Sequence, residues 1–277
     1  PDKLIPTTSS LEKLREGGVV GGFFALFVPP SKEEEAAGTG EGGDKLPGAV
    51  SAGRAREVVA RQFSSLQGII RRSKGAVELV TSASAIEACA RQGRIAALLH
   101  LEGAEAISES LEELDLYYAA GLRSLGPLWS RHNAFGYGVP IYKEGSPDSS
   151  PGLTEAGRRL VRRCEELGIL VDLSHLTERG FWDVASATHM PLVATHSNAW
   201  ELCRSTRNLT DEQLAAIRST DGMVGVNFGT LFLRPDGKVT EETPLSLVID
   251  HLQYLVDRLG VERVGFGSDF DGTVVPK

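Results

Sequence analysis

Cysteine is scarce in this sequence: Cys89, Cys164 and Cys203 are the three in 277 residues. An odd, unevenly spaced set excludes a disulfide framework and contains no CxxC metal site. It fits a reducing compartment, and the cytoplasm is the expected location. Long apolar runs are also absent. No stretch reaches the ~18 apolar residues that a membrane-spanning helix needs, so no transmembrane segment is expected. No basic segment leading into an apolar one opens the chain, so no signal peptide is expected in it. Positive charge is not in surplus either. With 29 basic and 37 acidic residues the net charge is −8, and no basic cluster stands out. Nucleic acid is therefore not an expected partner.

What is present is alternation. Short, nearly continuous apolar runs occur at 19–28 (VVGGFFALFV), 95–101 (IAALLHL), 122–129 (LRSLGPLW), 169–173 (ILVDL), 191–195 (PLVAT), 223–228 (MVGVNF) and 264–268 (VGFGS). Their lack of polar alternation predicts strands buried on both faces. Helical patterns lie between them. Thr154 precedes a helix over 155–167 that stops at Gly168, Thr177 caps a segment through Thr188, and Thr210–Asp211 opens 212–218. A further helix spans 245–259, with Val248, Ile249, Leu252, Leu255 and Val256 on one face and Gly260 ending it. Repeated strand–helix alternation means a parallel sheet with helical crossovers. One domain over 1–277 matches the size of a (β/α)8 TIM-type barrel. A doubly wound open sheet is the alternative that periodicity alone does not separate. Two stretches interrupt the rhythm: 29–48 reads as a mobile polar surface loop, and 133–152 as a long βα loop.

Chemistry in a barrel belongs at the C-terminal ends of its strands. There the sequence places Glu102, Trp129, His175, His196 and Asp269, each on a different strand. Imidazoles and carboxylates are the ligand set for zinc and similar ions. Any one of them could equally cap a strand, but ligand-type residues at so many strand ends favour a site.

Taken in order, LREGGVVGGFFALFVP, LLHLEG, VDLSH, THSNA, the Arg207–Asn208 pair and GFGSDFDG resemble the membrane (renal) dipeptidase family over nearly the whole chain. That family comprises metal-dependent barrels of the amidohydrolase superfamily. The resemblance implies a metallodipeptidase with two zinc ions per intact chain and a metal-bridging hydroxide as nucleophile. It implies Glu102 as the bridging ligand, and His175 and His196 as the imidazoles of the second metal. It further implies that Arg207 grips the substrate carboxylate and that Asp269 handles the proton of the attacking water. L,D-dipeptides are implied among the substrates, and a homodimer is an open expectation.

The sequence departs from the family in three ways. No His-x-Asp occurs in it, and seven of eight barrel strands are found, so the first strand is expected to be absent. No helix is expected beyond the last strand, so the sequence is expected to be trimmed at both ends. Trp129 stands where the family has a substrate-binding histidine; an indole N–H donates one hydrogen bond but carries no charge. Trp129 is thus a candidate substrate-binding residue that favours bulky or apolar side chains, with His132 as a possible substitute donor. Two alternatives stay open: a related amidohydrolase acting on another small amide or lactam, and an inactive, metal-poor barrel that only binds ligands.

Overall fold

Seven parallel strands follow one another around the molecule in chain order. The computed structural model describes residues 10–38, 46–141 and 150–277. All seven apolar runs form strands: β1 (Gly21–Phe27), β3 (Ile95–Glu102), β4 (Leu122–Gly126), β5 (Leu170–Val171), β6 (Val193–Ala194), β7 (Met223–Asn227) and β8 (Val264–Gly267). An eighth, β2 (Val77–Leu79), pairs with the first residues of β3, on the edge that β4 takes over from Leu99. The order β1-β3-β4-β5 continues to β6-β7-β8 through a parallel bridge between Asp172 and Val193. A doubly wound sheet would reverse its strand order at a switch point. No reversal occurs here, which selects the barrel arrangement. Among the described residues β1 and β8 do not pair with each other, and Phe23 and Phe266 on these edge strands are 44% and 73% exposed.

Helices fill the crossovers. After α1 (Leu11–Glu16) come α2 (Lys32–Ala36), α3 (Ala52–Arg72), α4 (Ala83–Arg91), α5 (Glu112–Ala119), α6 (Glu155–Leu167), α7 (Glu178–Ala187), α8 (Asp211–Ser219), α9 (Thr230–Leu233) and α10 (Leu245–Leu259). The three threonine caps form as expected: Thr154, Thr177 and Thr210 accept from the amides of Gly157, Gly180 and Gln213. Each such cap is worth about 1 kcal/mol.

Two expectations need correction. The stretch 29–48 is not all loop, because Ser31 and Glu34 form a reciprocal capping box that starts α2; residues 39–45 lie outside the described ones. On α10, Ile249 is 61% exposed and not part of the inward face; Leu255 is buried and Val248 and Leu252 pack against the core as expected, with His251 and Leu259 completing the face. His251 on this face is 1% exposed.

The core has two main parts. Leu26, Leu99, Leu101 and Leu125 of β1, β3 and β4 pack with Val59, Leu114 and Leu160 of α3, α5 and α6. Ala194, Val224 and Val226 of β6 and β7 pack with Phe181, Leu214 and Leu255 of α7, α8 and α10. This scaffold fixes the strand ends where polar groups gather.

Candidate metal centre

Glu102 is the last residue of β3, and period-two alternation puts it on the same face as His100. His175 lies in the turn after β5 and His196 two residues beyond β6. Their donor atoms converge. Glu102 Oε1 lies 3.1 Å from His175 Nε2 and 3.5 Å from His196 Nε2, and the two Nε2 atoms are 3.0 Å apart. Among the described residues this is the group of ligand-type side chains that could hold a metal ion, with all donor atoms within 4.8 Å of one another.

The fit to a metal follows from this donor set. Zinc bonds of ~2.0–2.1 Å imply ligand–ligand edges of roughly 3.3 Å in a tetrahedron, close to the three distances seen. The outer nitrogens reinforce it. Asp172 is acceptor-only when ionised, so the Thr195 hydroxyl donates to Asp172 Oδ2 (2.6 Å) and must accept from His196 Nδ1–H (2.7 Å). That fixes the tautomer and leaves the His196 Nε2 lone pair pointing at the centre. His175 Nδ1 likewise meets Ser130 Oγ at 2.8 Å. Asp172 is itself held, accepting from the amides of Ser174 and Thr195 through Oδ1. Asp172 and Thr195 escaped the sequence reading. Their signal lay in the motifs VDLSH and THSNA, beside the histidines of the centre.

Electrostatics suit ligation as well. Burial and the nearby Arg207 charge push His175 down to about 3, keeping it neutral. Burial would raise Glu102, but its contacts with His175 and His196 hold its carboxyl well below the usual carboxylate range. His175 sits at φ +70° and Asp269 at φ +56°, left-handed positions that cost a non-glycine residue about 1–3 kcal/mol each. Two glycines make room for the backbone that carries His196: a Cβ at Gly225 or Gly267 would collide with the Thr195 carbonyl.

The remaining sequence candidates gather around this centre. Asp269, two residues past β8, accepts from Asn227 Nδ2 through Oδ2 (3.1 Å). Burial raises its pKa, helped by the Glu102 charge and opposed by His196 and Arg207. Arg207 is 4% exposed; its Nη2 donates to the His196 carbonyl (3.3 Å), and its guanidinium carbon lies 5.3 Å from the centre of the Phe232 ring. Its Nε has no hydrogen-bond partner, and no carboxylate lies within salt-bridge distance of it among the described residues. Trp129 is half-buried, with its ring centre 6.1 Å from that of His175 and 4.8 Å from that of Phe27. His132 instead packs edge-on against Tyr137 at 4.4 Å. His100 lies deeper, buried and bonded to Ser124 Oγ.

A family model described as membrane dipeptidase, peptidase family M19, matches residues 2–277. A solved metallo peptidase from Rhodobacter sphaeroides, liganded with a phosphinate mimic of the dipeptide L-Ala-D-Ala, is 45% identical with a TM-score of 0.91. That match covers 99% of this chain and 80% of the other. The crystal structure of dipeptidase AC, a metallo peptidase of family M19, is also 45% identical, with a TM-score of 0.92 over 100% of this chain and 79% of that one. An uncharacterized protein from the pqqA 5' region of Klebsiella pneumoniae is 45% identical over 220 residues, 79% of this chain and 81% of its own length.

Proposed function

This chain belongs to the membrane dipeptidase family, peptidase family M19, and is a metal-dependent dipeptidase; from that premise we propose its metal, its substrate class and the role of each rim residue. The metal is zinc, held by Glu102, His175 and His196. With two ions per intact chain, Glu102 would be available to the second as well, since its Oε2 makes no hydrogen bond among the described residues. When bound, zinc lowers the pKa of coordinated water from about 15.7 to roughly 7 and polarises a scissile carbonyl.

The observation that carries the substrate reading is Arg207. A buried guanidinium with no carboxylate within salt-bridge distance among the described residues, facing Asp269, Glu102 and Asp172 only at longer range, is costly unless an anion completes it. A dipeptide supplies that anion at its C-terminus, one residue from the scissile bond. Two parallel hydrogen bonds from the planar fork would then set the peptide carbonyl over the metal centre. The requirement for a nearby free carboxylate explains why such a site cleaves dipeptides rather than long chains.

Asn227 engages Asp269 Oδ2, which leaves Oδ1 to take the proton of the attacking water and deliver it to the leaving amine. A carboxyl raised by burial suits both halves of that transfer. Trp129 and Phe27 form an aromatic wall beside His175 that receives the substrate side chain, so apolar side chains are preferred. L,D-dipeptides are included in the substrate class, supported by the relative solved with the L-Ala-D-Ala mimic. The three cysteines are buried and form no disulfide among the described residues, which supports a reducing, cytoplasmic setting. No helix among the described residues is long and apolar enough to cross a membrane.

The test is hydrolysis of L-Ala-D-Ala against its C-terminal amide by zinc-loaded protein, with released amino acid measured. Cleavage of the acid alone is expected; equal rates on both would overturn the Arg207 reading.

A further inference from the structure

Arg131 is among the largest fully buried side chains of the protein, and it lies at the rim of the site. Its Nε donates to Glu105 Oε1 at 2.7 Å, with both side chains almost wholly excluded from solvent. Its Nη2 donates to the Val28 carbonyl just past β1. Its guanidinium carbon lies 4.9 Å from the centre of the Trp129 ring and 5.7 Å from that of Phe27. One side chain thus ties together the segments that follow β1, β3 and β4. Gly103, at φ +85°, is shaped to the same arrangement, because a Cβ there would run into the Glu105 carboxylate.

As a stabilising device this is a poor one. Burying an ion pair costs more than burying apolar side chains of equal volume. Arg131 Nη1 and Glu105 Oε2 are also left without hydrogen-bond partners, which adds to that cost. What the pair supplies, and an apolar pair would not, is a planar cation held at fixed distance against the indole. Lysine offers no equivalent, since a point charge lacks the fork that bonds two partners while stacking on a ring. With Phe27 and Arg131 as neighbours, the indole is held in place beside His175.

We propose that Arg131, braced by Glu105, is a positioning residue that sets the orientation of Trp129 and thereby the side-chain selectivity of the dipeptidase. This rests on the reading of Trp129 as part of the substrate wall. Arg131 touches neither substrate nor metal ligand, so its effect is on the ranking of substrates and not on the chemistry. The orienting contact is a cation facing the electron-rich ring face.

The experiment compares Arg131→Lys, Glu105→Gln and Trp129→Ala in the whole protein. Readouts are kcat/KM on dipeptides with bulky apolar and with small side chains, bound zinc, and thermal midpoint. In a Trp182→Phe, Trp200→Phe background, Trp129 emission and acrylamide quenching report the indole directly. Arg131→Lys is expected to lower the bulky-to-small ratio by about tenfold, to red-shift Trp129 emission and to leave zinc content unchanged. Glu105→Gln should shift the ratio the same way by less. A lowered thermal midpoint with unchanged ratio and emission would make the pair purely structural and overturn the proposal. If Trp129→Ala leaves the ranking untouched, the substrate-wall reading fails and takes the selectivity role of Arg131 with it. If Trp129→Ala reorders the panel and Arg131→Lys does not, the positioning role alone is overturned. If Arg131→Lys does not fold, Glu105→Gln with the emission readout decides between the same outcomes.

Discussion

The Nε2 atoms of His175 and His196 face each other at 3.0 Å, and each also faces Glu102 Oε1. Two neutral imidazoles cannot both present lone pairs to one point without a cation or proton between them. The outer hydrogen bonds to Ser130 and Thr195 turn both rings toward that point. The three converging donor atoms thus suit a bound cation.

Loss of the outer support should therefore weaken metal binding without touching a ligand. Thr195→Val and Asp172→Asn are each expected to lower zinc affinity by about 10- to 100-fold. Competition with a chromogenic chelator measures this, and unchanged affinity in both variants would show that the Asp172–Thr195–His196 chain does not orient the ring. His196→Ala should abolish zinc retention at that position altogether.

Arg207→Ala should raise KM for dipeptides far more than it lowers kcat. A charge-assisted contact is worth on the order of 2–3 kcal/mol, lost mainly from binding if ground and transition states share it. Steady-state kinetics on a dipeptide and its C-terminal amide separate the cases. Equal losses on the two would show that the guanidinium does not read the carboxylate.

Trp129→His should restore a chargeable donor and shift preference toward small polar dipeptides, whereas Trp129→Ala should lose activity chiefly on apolar ones. A buried apolar contact of this kind is worth roughly 1.5–3 kcal/mol, or about tenfold and more in substrate ranking. Unchanged ranking with a lowered melting temperature in both variants would place the indole in a packing role.

His251 makes stability depend on acid. Its Nδ1 accepts from the Ala199 amide, so the proton sits on Nε2 and donates to the Leu233 carbonyl. Burial pushes its pKa from 6.5 down to about 4. The unfolded chain takes up this proton first as pH falls, so the contribution is complete above about 6.5 and is lost progressively toward 4. The loss reaches about 3 kcal/mol at most. Urea unfolding of wild type and His251→Gln at pH 7 and pH 4.5 checks it. The variant should be less stable at pH 7 and show a smaller drop at pH 4.5; parallel losses would assign the acid sensitivity elsewhere.

Strand positions and the residue types just beyond them were legible in the residue order because both are local properties. A continuous apolar run predicts a buried strand whatever its neighbours, and a barrel carries its polar groups just beyond such runs. Glu102, His175, His196 and Asp269 could therefore be placed before any fold was known. Even the helix ends at Thr154, Thr177 and Thr210 follow from side chains bonding amides three residues away. The longest helix, α3, was not legible in that way, and neither was the capping box that starts α2 inside a polar stretch.

Tertiary structure alone decided the relationships between segments far apart in the chain. Arg131 reaches the Val28 carbonyl across 103 positions, and Glu105 across 26. His251 meets the Ala199 amide across 52, a buried crosslink that helical spacing alone does not reveal. Nothing in local spacing marks Arg131 as paired or Arg207 as lacking a carboxylate at salt-bridge distance among the described residues, because a guanidinium's partner depends on which strand ends the barrel brings together. The same composition on another scaffold would pair these charges differently. Residue order thus determines which chemical groups reach the rim, while packing determines which are satisfied within the protein and which await a ligand.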